Sequence, residues 1–219
     1  MRVIPYLEED ADKDSAKIFS FGLETRLATD VIDRLNEYIS ISNESVKDTL
    51  VGNISNSMSL VDKDNWFFSS ILLPMISELK ERIPNQGAFW YQNAFIEMVP
   101  YTLDAFWVNF QRQHEFNPIH NHKGHFSFVI FIKIPTDWRE QHALPFLQGV
   151  REEERRASNF DFVLPHVLEQ PCPMTYKLDS SYEGIMLFFP AEIFHTVYPF
   201  YNCEEERITI SGNVGQLGL

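Results

Sequence analysis

The chain has 219 residues, 44% of them hydrophobic and 14% aromatic, and a formal net charge of −13. That length buries a sizeable core without disulfides or structural metals, and the apolar content excludes a largely disordered chain. The acidity argues against a protein that coats nucleic acid or adheres to anionic lipid, because both need basic surface. It leaves room for a local basic pocket. The two cysteines, Cys172 and Cys203, form no disulfide framework and fit a reducing cytoplasm. No run approaches the ~18 apolar residues of a membrane span. The N-terminus turns acidic too soon for a secretory signal, so no membrane partner is expected.

In chain order, Val3–Leu7 and Ile18–Phe21 read as short strands flanking an acidic turn. Thr25–Ile39 reads as an amphipathic helix, with Leu27, Val31, Ile32, Leu35 and Ile39 at three- and four-residue spacing. Ser40–Asp62 is polar and reads as loop. Asp64 can cap a second helix running to Arg82, with Phe67, Ile71, Leu72, Ile76 and Leu79 on one face. Pro74 within it signals a kink or a later start, and Pro84–Gly87 closes it.

From Ala88 the texture turns to β. Ala88–Val99, Ala105–Arg112, His125–Ile134, Asn159–Leu164, Met174–Leu178, Gly184–Phe189 and Arg207–Ser211 are rich in aromatic and β-branched residues. Trp107, Asn109 and Gln111 alternate with Phe106, Val108 and Phe110, as in a half-buried strand, with Trp107 expected in the core. Residues 135–158 are polar and form an excursion, either a lid over the site or a solvated loop or short helix. Two helices followed by about eight strands suggest one α+β domain over 1–219, built as a β-sandwich or jelly roll. Its helical part would span 1–87 and its β core 88–214.

Chemistry concentrates in two segments. His120 and His122 stand at i, i+2, so on a strand both point to one face. His195 follows the apolar run Met186–Phe189, and distant strands of a two-sheet fold can bring it opposite the pair. Neutral imidazole suits iron, copper, nickel and zinc. His-x-His also occurs on ordinary surfaces, and His125 is the next candidate ligand. His114, His142 and His166 read as surface or core histidines. Arg207 lies twelve positions beyond His195. Arg207, Thr209 and Ser211 alternate with Ile208 and Ile210, which puts a guanidinium and two hydroxyls on one face. Such a set grips a carboxylate, although Arg207 could instead pair with Glu204, Glu205 or Glu206.

These residues carry a family resemblance. Trp107 and Asn109, then His120, His122 and Ser127, then Phe189-Pro190 with His195, and finally Glu206-Arg207 with Asn213 resemble the iron(II)- and 2-oxoglutarate-dependent oxygenases. The text is most similar to small members of that superfamily from marine viruses and bacteria. The resemblance covers 88–214 and implies a double-stranded β-helix (jelly-roll, cupin-like) core with the N-terminal helices packed on one sheet. It implies Fe(II) at His120, His122 and His195, and 2-oxoglutarate and O2 as co-substrates. Arg207 would hold the distal carboxylate, with Thr209, Ser211, Asn109 and Ser127 as further co-substrate contacts. The implied reaction hydroxylates an unactivated C–H bond of a small-molecule or peptidyl substrate, releasing succinate and CO2. The location implied is the cytoplasm, that of the host for a viral chain.

One departure stands out. The family's usual metal-binding carboxylate is replaced by His122, unless Asp104 or Glu115 supplies one. Three-histidine iron sites also occur in cupin-type dioxygenases that use no 2-oxoglutarate. A β-barrel binding protein without catalysis is the third reading. Nucleic acid is not an expected substrate. The abundance of Phe, 19 residues, allows a homodimer interface.

Overall fold

The structure, a computed structural model, describes residues 4–5, 22–82, 100–164 and 172–216. The expected strands Ile18–Phe21 and Ala88–Val99, most of Val3–Leu7, the turn Pro84–Gly87 and His166 lie outside the described residues.

Eleven strands are found among the described residues: β1 Ile4–Pro5, β2 Leu23–Arg26, β3 Asn56–Ser59, β4 Tyr101–Gln111, β5 Asn117–His120, β6 Phe126–Lys133, β7 Phe160–Leu164, β8 Cys172–Tyr176, β9 Ile185–Pro190, β10 Phe194–Val197 and β11 Arg207–Gln216. The larger sheet runs β1-β2-β9-β6-β11-β4-β3 and the smaller β5-β10-β7-β8. Every strand pairing is antiparallel. This is the α+β jelly-roll architecture expected from the sequence. Among the described residues no helix is long and apolar enough to cross a membrane.

The period-2 pattern of the central strands divides the larger sheet into two unlike faces. Phe106 and Val108 of β4, Phe128 and Ile130 of β6, and Ile210 of β11 pack outward into the main apolar cluster. There they meet helix α1, Thr29–Ser40, and helix α2, Leu73–Arg82, with the π-helical turn Phe68–Leu72 that precedes α2. Phe67 stacks on Phe106 at 5.1 Å, and Tyr38 meets the same ring edge-on at 6.4 Å. The opposite face carries Trp107, Asn109, Gln111, Arg207, Thr209 and Ser211, which line a cavity shared with the smaller sheet. The strand expected to be half-buried is thus covered on both faces, by helices on one and by the site on the other.

Several expectations shift. The first helix begins at Thr29, because Leu23–Arg26 pairs with β9 instead. The second is capped by Asp62, whose carboxylate accepts from the Phe67 and Phe68 amides at 2.8 and 2.9 Å. Asp64 sits outside it at φ 58°. Pro74, which has no N–H to give, falls in the second position of α2 just after the π-helical turn. The polar stretch read as loop contains β3, held to β4 by backbone pairing.

Residues 135–158 include helix α3, Trp138–His142. Gln141 anchors it by exchanging hydrogen bonds with Tyr201, and Arg139 bonds to Asp179 at 2.9 Å. None of 135–158 lines the cavities beside the histidines. In this structure the excursion is a buttress behind the site.

Candidate metal centre

His120 closes β5 and stands in register with His195 of β10. His122 lies two residues beyond the end of β5, its amide bonded to Ala191 O at 2.8 Å. The expected common strand therefore carries only His120, and His122 is placed by the loop. The ligand atoms of all three imidazoles lie within 4.8 Å of one another. His122 Nε2 is 3.3 Å from His195 Nε2.

The tautomers follow from the carbonyls nearby. His120 Nδ1 faces Pro118 O at 2.7 Å, and His195 Nδ1 faces Ile193 O at 3.1 Å. A carbonyl can only accept, so each Nδ1 carries the proton and each Nε2 keeps a bare lone pair. Burial favours the neutral rings. It depresses His195 well below the ordinary histidine range, with His120 and His122 adding repulsion. It pushes His122 down to about 4, and it lowers His120 against the opposing pull of the Pro118 carbonyl. Three neutral, converging imidazoles are a metal-binding donor set. A spacing of 3.3 Å is close to that of two nitrogens each held about 2.0–2.1 Å from one cation. The residues present thus fit a single metal ion.

The His195 side of the cluster is aromatic. Phe160 lies nearly parallel to the His195 ring at 5.6 Å, and Phe189 meets it edge-on at 5.2 Å. Trp107 is buried, as expected, at 5% exposure, and on the site face of the sheet, where it lies 5.9 Å from the His122 ring and lines the cavity. Phe194, the neighbour of His195 on β10, is exposed.

No carboxylate joins the three histidines among the described residues. Glu115 accepts from the amides of Ser55 and Arg112. Asp104 is exposed and lies against Gly215 and near His125. His125 belongs to that neighbourhood and not to the cluster. His142 is buried against Asn159.

Arg207 is 1% exposed and has no carboxylate partner among the described residues. Glu204 bonds to Gln113, Glu205 to Lys133 and Glu206 to Arg112. Arg207 Nη2 donates instead to the carbonyl and hydroxyl oxygens of Ser158, and Nη1 reaches Gln111 Oε1 at 3.5 Å. Its Nε is buried with no partner. Burial pushes its pKa down to about 10. Thr209, Ser211, Asn109 and Ser127 line the same inner cavity of about 40 Å³ as Arg207 and the three histidines. That cavity adjoins an outer one of about 480 Å³, lined in part by His120, His122, Trp107 and Asn109.

Sequence reasoning missed Ser158, Gln111 and Phe160. Ser158 holds a left-handed backbone at φ 68° and is fully buried. No local pattern announces that, because a serine after a charged run reads as solvated.

Residues 105–213 match the family described as "Putative 2OG-Fe(II) oxygenase". No curated protein matches in sequence. Among solved structures, the chain is similar to a 2OG-Fe(II) oxygenase family oxidoreductase from Burkholderia pseudomallei. That pair has 12% identity and TM-score 0.50, covering 98% of this chain and 95% of the other. A prolyl-4-hydroxylase from Pseudomonas putida gives 15% identity and TM-score 0.46, covering 86% and 89%. A viral collagen prolyl hydroxylase from Paramecium Bursaria Chlorella virus-1 gives 12% and 0.46, covering 89% and 95%. At these identities the likeness is one of fold.

Proposed function

We propose that the chain, whose fold is similar to that of 2OG-Fe(II) oxygenases and whose residues 105–213 match that family, is an oxygenase using one iron ion at His120, His122 and His195. The observation that carries this is the convergence of three imidazoles, one buried and two half-buried, whose burial favours the neutral form, with no carboxylate among them in the described residues. That donor set is the one used by three-histidine dioxygenases, which work without 2-oxoglutarate, and it supports that reading first. When bound, the iron would supply the redox chemistry by which both atoms of O2 enter the substrate, so that no separate reductant is needed. The chain's own residues do the rest. The Pro118 and Ile193 carbonyls fix the His120 and His195 tautomers, and Phe160, Phe162 and Phe189 keep water from the His195 side. The substrate, a small molecule or a peptidyl side chain, would enter through the outer cavity.

Arg207 favours a second reading, in which 2-oxoglutarate is a co-substrate. A buried guanidinium with only neutral partners is suited to receive a carboxylate. Thr209 and Ser211 stand on its face of β11 to add hydroxyl contacts. The inner cavity of about 40 Å³ would have to widen to take a five-carbon diacid, which is why this reading stands second.

An anaerobic titration of metal-free protein with Fe(II) and then 2-oxoglutarate separates the two. Under the first reading, iron binds, 2-oxoglutarate adds no visible charge-transfer band, and O2 uptake with substrate is independent of it. Under the second, a band appears and disappears in Arg207→Ala. Failure of wild type to bind iron, with His120→Ala and His195→Ala indistinguishable from it, would overturn both.

A further inference from the structure

The outer cavity differs in charge from the chain that encloses it. The sequence has 31 acidic and 18 basic residues, yet among the described residues no Asp or Glu lines this cavity of about 480 Å³. Apart from His120 and His122, the one ionisable lining residue among those described is Lys123. An ammonium-bearing molecule entering here would meet no counter-charge.

The amides point to the same conclusion. Asn109 Oδ1 accepts from Ser57 Oγ at 2.7 Å, and Asn213 Oδ1 accepts from Ser127 Oγ at 3.0 Å. Each amide oxygen thus accepts from a serine hydroxyl, and neither NH2 has a protein partner among the described residues. An amide so held has both N–H donors left for a ligand and one acceptor lone pair already taken. The turn that carries Lys123 is held to the strand that carries Asn213. Gly124, at φ 98°, lies so close to β11 that a Cβ would sit 2.8 Å from Val214 O. His125 N donates to that carbonyl at 2.7 Å. Lys123 and Asn213 therefore border one cavity by construction.

The metal centre adds charge of the same sign. Three neutral imidazoles leave a bound dication its full charge, where a set containing a carboxylate would offset part of it.

We infer that the outer cavity takes a carboxylate-bearing substrate, its anion held by Lys123 and the NH2 groups of Asn109 and Asn213, with a neighbouring carbon presented to the metal centre. The inference rests on the oxygenase reading of that centre and names the substrate class for it. It excludes cationic substrates such as free amines.

The test uses one carbon skeleton in three charge states: N-acetylleucine (anionic), N-acetylleucine methylamide (neutral) and leucine methylamide (cationic). Binding is measured by calorimetry or saturation-transfer NMR on metal-free full-length protein, so that direct ligation of the metal cannot create the preference. N-acetylleucine is expected to bind about tenfold more tightly than its neutral amide, the weight of one charge-assisted contact. Lys123→Gln, at an exposed position, should remove that preference, and Asn213→Asp should reverse it. If Asn213→Asp loses its fold with the Ser127 bond, Lys123→Gln alone still decides. Equal binding of anion and neutral amide, tightest binding of the cation, or a preference that survives Lys123→Gln would each overturn the inference. Zinc binding by wild type and His195→Ala, measured in parallel, reports on the metal centre separately. Zinc bound without any anion preference sinks only the substrate class; an anion preference without zinc binding sinks only the metal reading.

Discussion

Replacing Arg207 by Met tests whether this guanidinium serves the fold or a ligand. Burial pushes its pKa down to about 10. A base depressed in this way is disfavoured as a cation in the folded state at every pH below about 10, so the full cost is present at pH 7. At about 1.36 kcal/mol per pKa unit that cost is on the order of 3 kcal/mol. Against it stand the bonds to Ser158 and the approach of the guanidinium to the Phe200 ring at 5.1 Å. Charged hydrogen bonds contribute about 1.5–3 kcal/mol each. The two sides nearly cancel, and the Ser158 hydroxyl keeps Thr136 as a partner. Arg207→Met should therefore move the urea-unfolding free energy of metal-free protein by less than about 2 kcal/mol in either direction. A buried arginine serving the fold through an ion pair would lose about 3–5 kcal/mol. The second arm is scanning fluorimetry with zinc and 2-oxoglutarate. A ligand at a hundred times its Kd adds about 2.7 kcal/mol, or roughly 5–10 °C for a chain of this size. Any such shift in wild type should vanish in Arg207→Met. A variant destabilised by more than about 3 kcal/mol, or one that keeps the shift, would refute the assignment of Arg207 to a ligand.

The remaining predictions concern the histidines and their support. His195→Ala should weaken zinc or iron binding at least about 100-fold, since losing even an outer partner of a ligand costs 10–100-fold; elemental analysis after dialysis checks this. The imidazoles are buried as neutral bases, with His122 pushed down to about 4 and His195 well below its ordinary value. As pH falls below about 6.5, the unfolded chain takes up protons that the folded chain refuses. Stability of the metal-free protein should therefore be full above that pH and decline toward pH 4; identical urea midpoints at pH 7 and 4.5 would contradict it. Phe160→Ala removes a ring that is 2% exposed and packed on His195. It should cost about 3–5 kcal/mol, with metal affinity falling in step, as denaturation and metal titration on the same preparation would show.

What could be read from the chain was whatever rests on period and chemistry. Arg207, Thr209 and Ser211 alternate with aliphatics over five residues of one strand, and they do share a cavity wall. His120, His122 and His195 converge because the strand register sets His120 opposite His195. Period alone could not say which face of β4 meets helices and which meets the site. Trp107 is buried as its pattern implies, but that it packs beside His122 and not against the helices was not legible. The helix start at Thr29 and the existence of β3 were hidden for a related reason. Short segments such as Leu23–Arg26 and Asn56–Ser59 take strand conformation from partners distant in sequence, β9 and β4. Ser158 was invisible because its role depends on a left-handed backbone and on the side chain of a residue 49 positions away.

The single substitution that sets this site apart, histidine at position 122, has consequences beyond coordination. A carboxylate there would offset part of the metal's charge and remain negative at neutral pH. A neutral imidazole does neither. The depressed pKa values of the three rings mean that the centre is uncharged before metal enters, so all of the ion's charge is left to be met by what binds next. The remaining cations of the two cavities, buried Arg207 and exposed Lys123, have no carboxylate beside them in the cavity walls among the described residues. Positive charge thus borders both cavities of a chain that is strongly acidic as a whole. Fields in a low-dielectric recess are focused and not averaged with the surface. The acidic exterior and an acidic ligand are therefore compatible: the exterior serves solubility, and the recess supplies the attraction. On the reading in which 2-oxoglutarate is a co-substrate, an anion at Arg207 and an anion at Lys123 would be separate events, one for the co-substrate and one for the substrate. Lys123→Gln and Arg207→Met should then be distinguishable by which ligand each one loses.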